Sequence, residues 1–169
     1  MKISNLFGKS TLTVLLLLTF VLLTSGFLAQ TKKPSSPDIG QIAALLDKHD
    51  NAMNQKDLDA IVNLYDPGPK TVMMGTGPGE FYQGREQIKQ AYTEIFKDYD
   101  KGTVEHNCYQ KTGEVNGNTA WLTAMCKFSD SHDGKKREYE LNVSGVVKRE
   151  GAEWYFSSLH FSNLTGNCK

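Results

Sequence analysis

Glu153-Trp154-Tyr155-Phe156-Ser157-Ser158-Leu159-His160-Phe161-Ser162 is the stretch that decides the fold. A strand sends alternate side chains to opposite faces, so these residues sort into two rows. Trp154, Phe156, Ser158 and His160 form one row; Tyr155, Ser157, Leu159 and Phe161 form the other. Two large rings, a hydroxyl and an imidazole have the make-up of a pocket wall, mostly apolar with a few orienting polar groups. His160 is the candidate proton-transfer group, because an imidazole exchanges protons in the useful pH range.

Three further segments upstream keep the same period of two: Val104 to Thr112, Ala120 to Phe128 and Arg137 to Lys148. Asn116-Gly117-Asn118, Asp133-Gly134 and Gly151-Ala152 supply the turns of an antiparallel meander. A two-residue turn at Asp133-Gly134 sets Phe128 opposite Tyr139, Cys126 opposite Leu141, Ala124 opposite Val143 and Leu122 opposite Gly145. The other face then pairs Lys127 with Glu140, opposite charges. A two-residue turn at Gly151-Ala152 sets Val147 opposite Phe156, Gly145 opposite Ser158 and Val143 opposite His160. A three-residue turn at Asn116–Asn118 sets Cys108 opposite Cys126 and Tyr109 opposite Met125. These registers give one common face that includes His106, Cys108, Gln110, Tyr139, Gly145, Trp154, Phe156, Ser158 and His160. The opposite face carries Tyr109, Trp121, Met125, Val146, Leu159 and Phe161. That is much apolar surface to leave wet, so a homodimer through this side is expected, with coverage by the C-terminal tail as the alternative. Gly145 beside Ser158 leaves little side-chain volume in mid-sheet, which marks either a close approach or a plain bulge.

Helical patterns precede the meander. Ser36-Pro37-Asp38 is a helix start. Ile42, Leu45, Leu46, His49 and Met53 follow on one stripe; His49 there reads as a core histidine satisfied by a neighbour. Asp57 caps a shorter helix with Leu58, Ile61, Val62 and Tyr65 inward, ended by Pro67-Gly68-Pro69. Thr71 to Met74 and Phe81-Tyr82-Gln83 are short extended pieces. The glycine loop between them lacks the Lys-Ser/Thr and the following helix of a phosphate loop. A third helix carries Ile88, Ala91, Tyr92, Ile95, Phe96 and Tyr99. The expected class is α+β: an antiparallel sheet with three N-terminal and interleaved helices.

Of the 169 residues, 1–29 read as a signal peptide, 30–37 as a linker and 38–169 as one domain. Lys2 and Lys9 precede the apolar run Leu12 to Leu23, and Thr24-Ser25-Gly26 follows it. The run is short for a membrane span, so membrane attachment is expected only if the segment stays uncleaved. The destination is secreted or periplasmic. The 19 basic and 19 acidic residues balance. Lys135-Lys136-Arg137 reads as a solvated tip, and no basic face invites nucleic acid. Cys108 and Cys126 are placed for a disulfide, or for a buried free pair; Cys168 is left over. Asn142-Val143-Ser144 and Asn163-Leu164-Thr165 are sequons that matter only if the host glycosylates.

Asp57-Leu58-Asp59-Ala60-Ile61-Val62-Asn63-Leu64-Tyr65, Gly84-Arg85-Glu86-Gln87-Ile88, Asn118-Thr119-Ala120-Trp121 and Trp154 through Ser162 occur in an order and spacing that resemble the SnoaL-like branch of the nuclear transport factor 2-like superfamily. The chain also resembles the association domain of calcium/calmodulin-dependent protein kinase II. The resemblance covers about residues 38 to 164 and implies a curved, cone-shaped sheet (a cystatin-like roll), helices over its mouth, and usually dimers. The isomerase branch has a carboxylate just after the first strand, where this chain reads Val72-Met73-Met74-Gly75. The kinase association domain has an arginine where this chain has Gly145. Neither chemistry carries over by residue.

Three functions remain open on the sequence. The first is an exported module binding a small apolar ligand, held by His160, Tyr139, Gln110, Ser158 and Tyr65 among Gly145, Trp154 and Phe156. The second is a structural or interaction dimer without ligand. The third is an isomerase, cyclase or dehydratase using His160 as general acid/base. That role needs an orienting carboxylate, and only Asp50, Asp66 or Glu80 could reach in, from helix or loop. No cofactor is expected, and no metal, because no short-spaced ligand pair occurs.

Overall fold

The computed structural model describes residues 39–163. The signal peptide and linker expected over 1–37, the cap at Ser36-Pro37-Asp38, Cys168, and Leu164-Thr165 of the second sequon lie outside the described residues. Helix α1 spans Ile39–Gln55. Helix α2, Leu58–Asn63, starts where the Asp57 carboxylate accepts the Ala60 N–H at 2.9 Å, the expected cap. Strands β1 (Val72–Met74) and β2 (Phe81–Gln83) precede helix α3, Gly84–Ile95. The meander follows as β3 (Glu105–Asn116), β4 (Thr119–His132), β5 (Lys135–Glu150) and β6 (Glu153–Asn163).

The fold is α+β, with six strands in the order β2-β1-β6-β5-β4-β3. The sheet is mixed rather than wholly antiparallel, because β1 runs parallel to β6. The three helices cover one face. Ile42 and Leu45 of α1, Ile61 of α2, and Ile88 and Tyr92 of α3 are buried there against Met73, Leu122, Val143, Val147, Phe156 and Leu159. Each such side chain contributes about 1.5–3 kcal/mol by leaving water.

Turn chemistry sets the registers. Asp133 and Gly134 have φ of 50° and 70°, the left-handed pair that a two-residue hairpin requires. The β4–β5 ladder therefore pairs Leu122 with Gly145, Ala124 with Val143, Cys126 with Leu141, Lys127 with Glu140 and Phe128 with Tyr139, all as the sequence dictates.

Two β-bulges then change which side chains face the helices. In β3 the turn uses two residues, Gly117-Asn118, and the extra residue appears further back: Cys108 pairs with Cys126, but Gln110 pairs with Met125. Tyr109 is the bulged residue, and Gln110 is exposed beside Met125 on the outer face rather than in a pocket. In β6 Val147 pairs with Phe156 but Val146 pairs with Ser158, so Ser157 is extra. Gly145 consequently pairs with Leu159, Ser144 with His160 and Val143 with Phe161. A one-residue slip exchanges the two faces. Leu159 becomes fully buried and Phe161 packs against the core, so neither belongs to an outer dimer face. Ser158 and His160 go to the outer face.

The β6 bulge sits where the strand changes neighbours. The Phe156 N–H donates to the Leu64 carbonyl at 2.8 Å, and the Phe156 carbonyl accepts from the Asp66 N–H at 2.9 Å. Two residues later Ser158 pairs with Val72 of β1. The extra residue lets one strand serve both segments. Gly145 meets this bulge: a Cβ there would lie 3.0 Å from the Ser158 carbonyl oxygen and 3.3 Å from Leu159 Cδ1. The close approach read from the sequence is an approach by the protein's own backbone.

Candidate functional site

His160 stands between Ser144 and Met74 on the outer face. Among the described residues no carboxylate pairs with it. Of the three acids able to reach inward, Asp66 accepts the Gly68 N–H at 2.6 Å and Glu80 accepts the Gly77 N–H at 2.8 Å, each closing its own loop. Asp50 of α1 is the one that reaches the sheet.

Asp50 lies between two imidazoles. Its Oδ1 accepts from His49 Nδ1 at 3.1 Å. Its Oδ2 lies 3.1 Å from His106 Nε2 in a charge contact. His49 is 3 % exposed and continues the chain inward: its Nε2 is 2.8 Å from the Tyr92 hydroxyl, which is 2.6 Å from the Tyr65 hydroxyl. A carboxylate only accepts, so His49 carries its proton on Nδ1. With that tautomer, Nε2 accepts from Tyr92, and Tyr92 accepts from Tyr65. Both phenols keep their protons. Burial pushes Tyr65 up. Burial and the neighbouring Tyr65 push Tyr92 up. Hydrogen bonding thus runs one way, from Tyr65 through Tyr92 and His49 to Asp50, with His106 touching the far oxygen. His49 is the satisfied core histidine of the sequence reading and also a link in this chain. Phe161 stacks on its ring at 5.8 Å. Among the described residues no buried side-chain polar atom lacks a hydrogen-bond partner.

His106 borders two hollows. A narrow nook of about 60 Å³ runs inward past His49, Asp50, Cys108, Cys126, Val143 and Phe161. An open groove of about 490 Å³ crosses β3, β4 and β5 at the same level, lined by outward-facing Glu105, Asn107, Lys127, Ser129, Glu138 and Glu140 together with His106, Phe128 and Tyr139. His106 and Phe128 border both. The rings of His106, Phe128 and Tyr139 form a row across three strands, with centroids 5.8 and 5.7 Å apart. Each end of the row is held by a carboxylate: His106 by Asp50, and Tyr139 by Asp130, which accepts from its hydroxyl at 3.1 Å. Asp130 is itself buried and gripped by Arg137 at 2.7 and 3.0 Å. Burial and that carboxylate push the Tyr139 phenol up.

The other expected contacts scatter. Tyr65 and Phe156 are fully buried and fill the space under mid-sheet where a pocket was expected. Trp154 is buried under α1, its Nε1–H donating to Gln41 at 3.1 Å. Gly145 packs against β6, and Ser158 and Gln110 face outward. Tyr139 is the one expected ligand contact that borders the groove. Cys108 and Cys126 form a disulfide. Trp121 and Val146 stand directly opposite each other on the outer face, 44 % and 40 % exposed. Among the described residues no group of three or more His, Cys, Asp and Glu side chains could hold a metal ion, and no helix is long and apolar enough to cross a membrane.

The model of the SnoaL-like domain matches residues 42–166. The chain belongs to the SnoaL-like domain family. This SnoaL-like chain shares its fold with a proposed calcium/calmodulin-dependent protein kinase II association domain from Xanthomonas campestris (19% identity, TM-score 0.68, covering 79% of this chain and 93% of that one). It is also similar to a nuclear transport factor 2-like superfamily protein from Salmonella enterica (19% identity, TM-score 0.66, 77% and 94%). A proposed dehydratase of the nuclear transport factor 2-like family from Streptomyces avermitilis is a third such structure (19% identity, TM-score 0.64, 76% and 98%). At this identity the likeness is one of fold. No curated protein matches the sequence of this SnoaL-like domain.

The sequence reading missed Asp50 with His106 as a pair. His49-Asp50 on a helix of apolar stripe was the available signal. Asp50 lies off the stripe, and only the packing of α1 against β3 brings it to the imidazole.

Proposed function

We propose that this chain binds a small molecule in the groove across β3, β4 and β5 and exchanges a proton with it through His106, oriented by Asp50. One observation carries this reading: the Asp50 carboxylate touches an imidazole on each side, and the outer one borders both hollows. A proton taken up by His106 then sits 3.1 Å from a carboxylate that is itself held by His49. Apolar walls at Phe128 and Val143 suit an apolar ligand part in the nook, and the Tyr139 hydroxyl suits a polar part in the groove. The reaction class is proton removal at an activated carbon, with the proton returned to carbon in an isomerase or delivered to a hydroxyl that leaves as water in a dehydratase. His160, on the outer face, is no longer the candidate.

Solvent deuterium tests it. The folded protein is incubated in D₂O with a panel of small cyclic ketones, and exchange is read by mass spectrometry. Exchange lost in His106→Ala and retained in His160→Ala supports the proposal; equal exchange by wild type and His106→Ala overturns it.

We also propose export and a homodimer. The disulfide supports an oxidising destination, since such bonds persist there. Exposed Trp121, Val146 and Tyr109 support a subunit contact on the outer face. A purely structural dimer is the second reading, favoured by the small volume of the nook and the filled space under mid-sheet.

A further inference from the structure

We infer that the Cys108–Cys126 disulfide is a positioning element of the His106–Asp50 pair, and that a dithiol reductant disables the site by opening it. This rests on the reading of that pair as the functional site. His106 and Cys108 are two residues apart on β3 and point to the same face, about 7 Å apart along the strand. Both line the nook with Asp50. β3 is the edge of the sheet and has only β4 beside it. Its ladder on the His106 side is four residues long, Glu105 to Cys108, and the Tyr109 bulge then interrupts it. Upstream the backbone is tied to α1, where Asn54 accepts from Gly102 and Val104 at 3.0 Å each. Downstream of His106 the disulfide is the firmest tie, and it fastens the strand to Cys126, 1 % exposed on the neighbouring strand.

The bond is also reachable. Cys108 is partly exposed. One thiolate of a dithiol attacks Cys108 Sγ, the S–S bond breaks, and Cys126 leaves as a thiolate that takes a proton. The second thiol of the reagent then closes on the mixed disulfide and releases the Cys108 thiol. Two electrons pass to the protein, and the reagent departs as a cyclic disulfide. Without the cross-link, His106 is held against Asp50 by the four ladder pairs before the bulge, by the Asn54 contacts upstream and by its ring contact with Phe128, and the covalent tie to β4 is gone.

The test follows the histidine ring signals by NMR in the full domain, oxidised and after dithiothreitol, with thiol titration to show that two sulfhydryls appear. We expect the His106 ring signals to move on reduction to the positions they hold in oxidised Asp50→Asn, while the backbone amide spectrum stays folded. A Cys108→Ser/Cys126→Ser variant should place them there without any reductant. Two outcomes overturn the inference: His106 signals unchanged after both thiols are freed, or global unfolding on reduction, which would make the bond a plain staple. If Asp50→Asn leaves the His106 signals of the oxidised protein in place, the site reading itself fails instead.

Discussion

Asp50 Oδ2 lies 3.1 Å from His106 Nε2, so helix α1 and the edge strand β3 meet through a carboxylate and an imidazole. The same carboxylate holds the buried His49 ring through its other oxygen. Asp50→Ala therefore strips the acceptor from His49 Nδ1–H and costs about 1–3 kcal/mol, as for a buried donor left unmet. His160→Ala, on the outer face, costs under about 1 kcal/mol. Urea denaturation of the two variants measures both; a larger loss from His160→Ala would mean that the faces are assigned the wrong way round.

Gly145 is fixed by contact rather than by turn geometry. Its Cβ position is 3.0 Å from a backbone oxygen that cannot turn aside. Gly145→Val should destabilise by about 1–3 kcal/mol through overpacking. Gly117→Ala, at a solvent-facing turn with φ of 62°, has open space but strained backbone and should cost about 1 kcal/mol. Thermal melts of the two variants should rank in that order.

The two buried phenols set an alkaline limit. Tyr65 and Tyr92 are both held above the ordinary 10.0 by burial. Below that pH, folded and unfolded chains both keep these protons, and stability is unaffected. Above it the unfolded chain loses protons that the folded chain retains, so stability falls by about 1.4 kcal/mol per pH unit for each phenol. Urea midpoints between pH 8 and 11 should show this fall, with a shallower slope in Tyr65→Phe. An equal slope in that variant would contradict the assignment.

Trp121 opposite Val146 is the centre of the proposed subunit contact. Light scattering should find wild type as a dimer and Trp121→Glu as a monomer with unchanged circular dichroism. A monomeric wild type would remove this contact from the account.

Much of the fold was legible in the chain. Asp133-Gly134 admits one hairpin geometry, and the β4–β5 ladder followed from it residue by residue. Asp57 announced its helix, and the facing cysteines were placed for a bond without deciding it. The two bulges were not legible. An extra residue at Tyr109 or Ser157 leaves the composition of a strand unchanged, yet it reverses every side chain beyond it. That reversal moved His160 and Ser158 out and brought Leu159 and Phe161 in. Asp50 was visible as a carboxylate able to reach inward, but its partner depends on how α1 lies across β3, which local sequence does not encode.

The most direct test of the site is a long-range proton–nitrogen spectrum of the histidine rings in the oxidised protein and in Asp50→Asn. The account predicts His49 protonated on Nδ1 in wild type, with the ring signals of both His49 and His106 displaced in the variant and those of His160 unmoved. Displacement of His160 with His106 unmoved would contradict it.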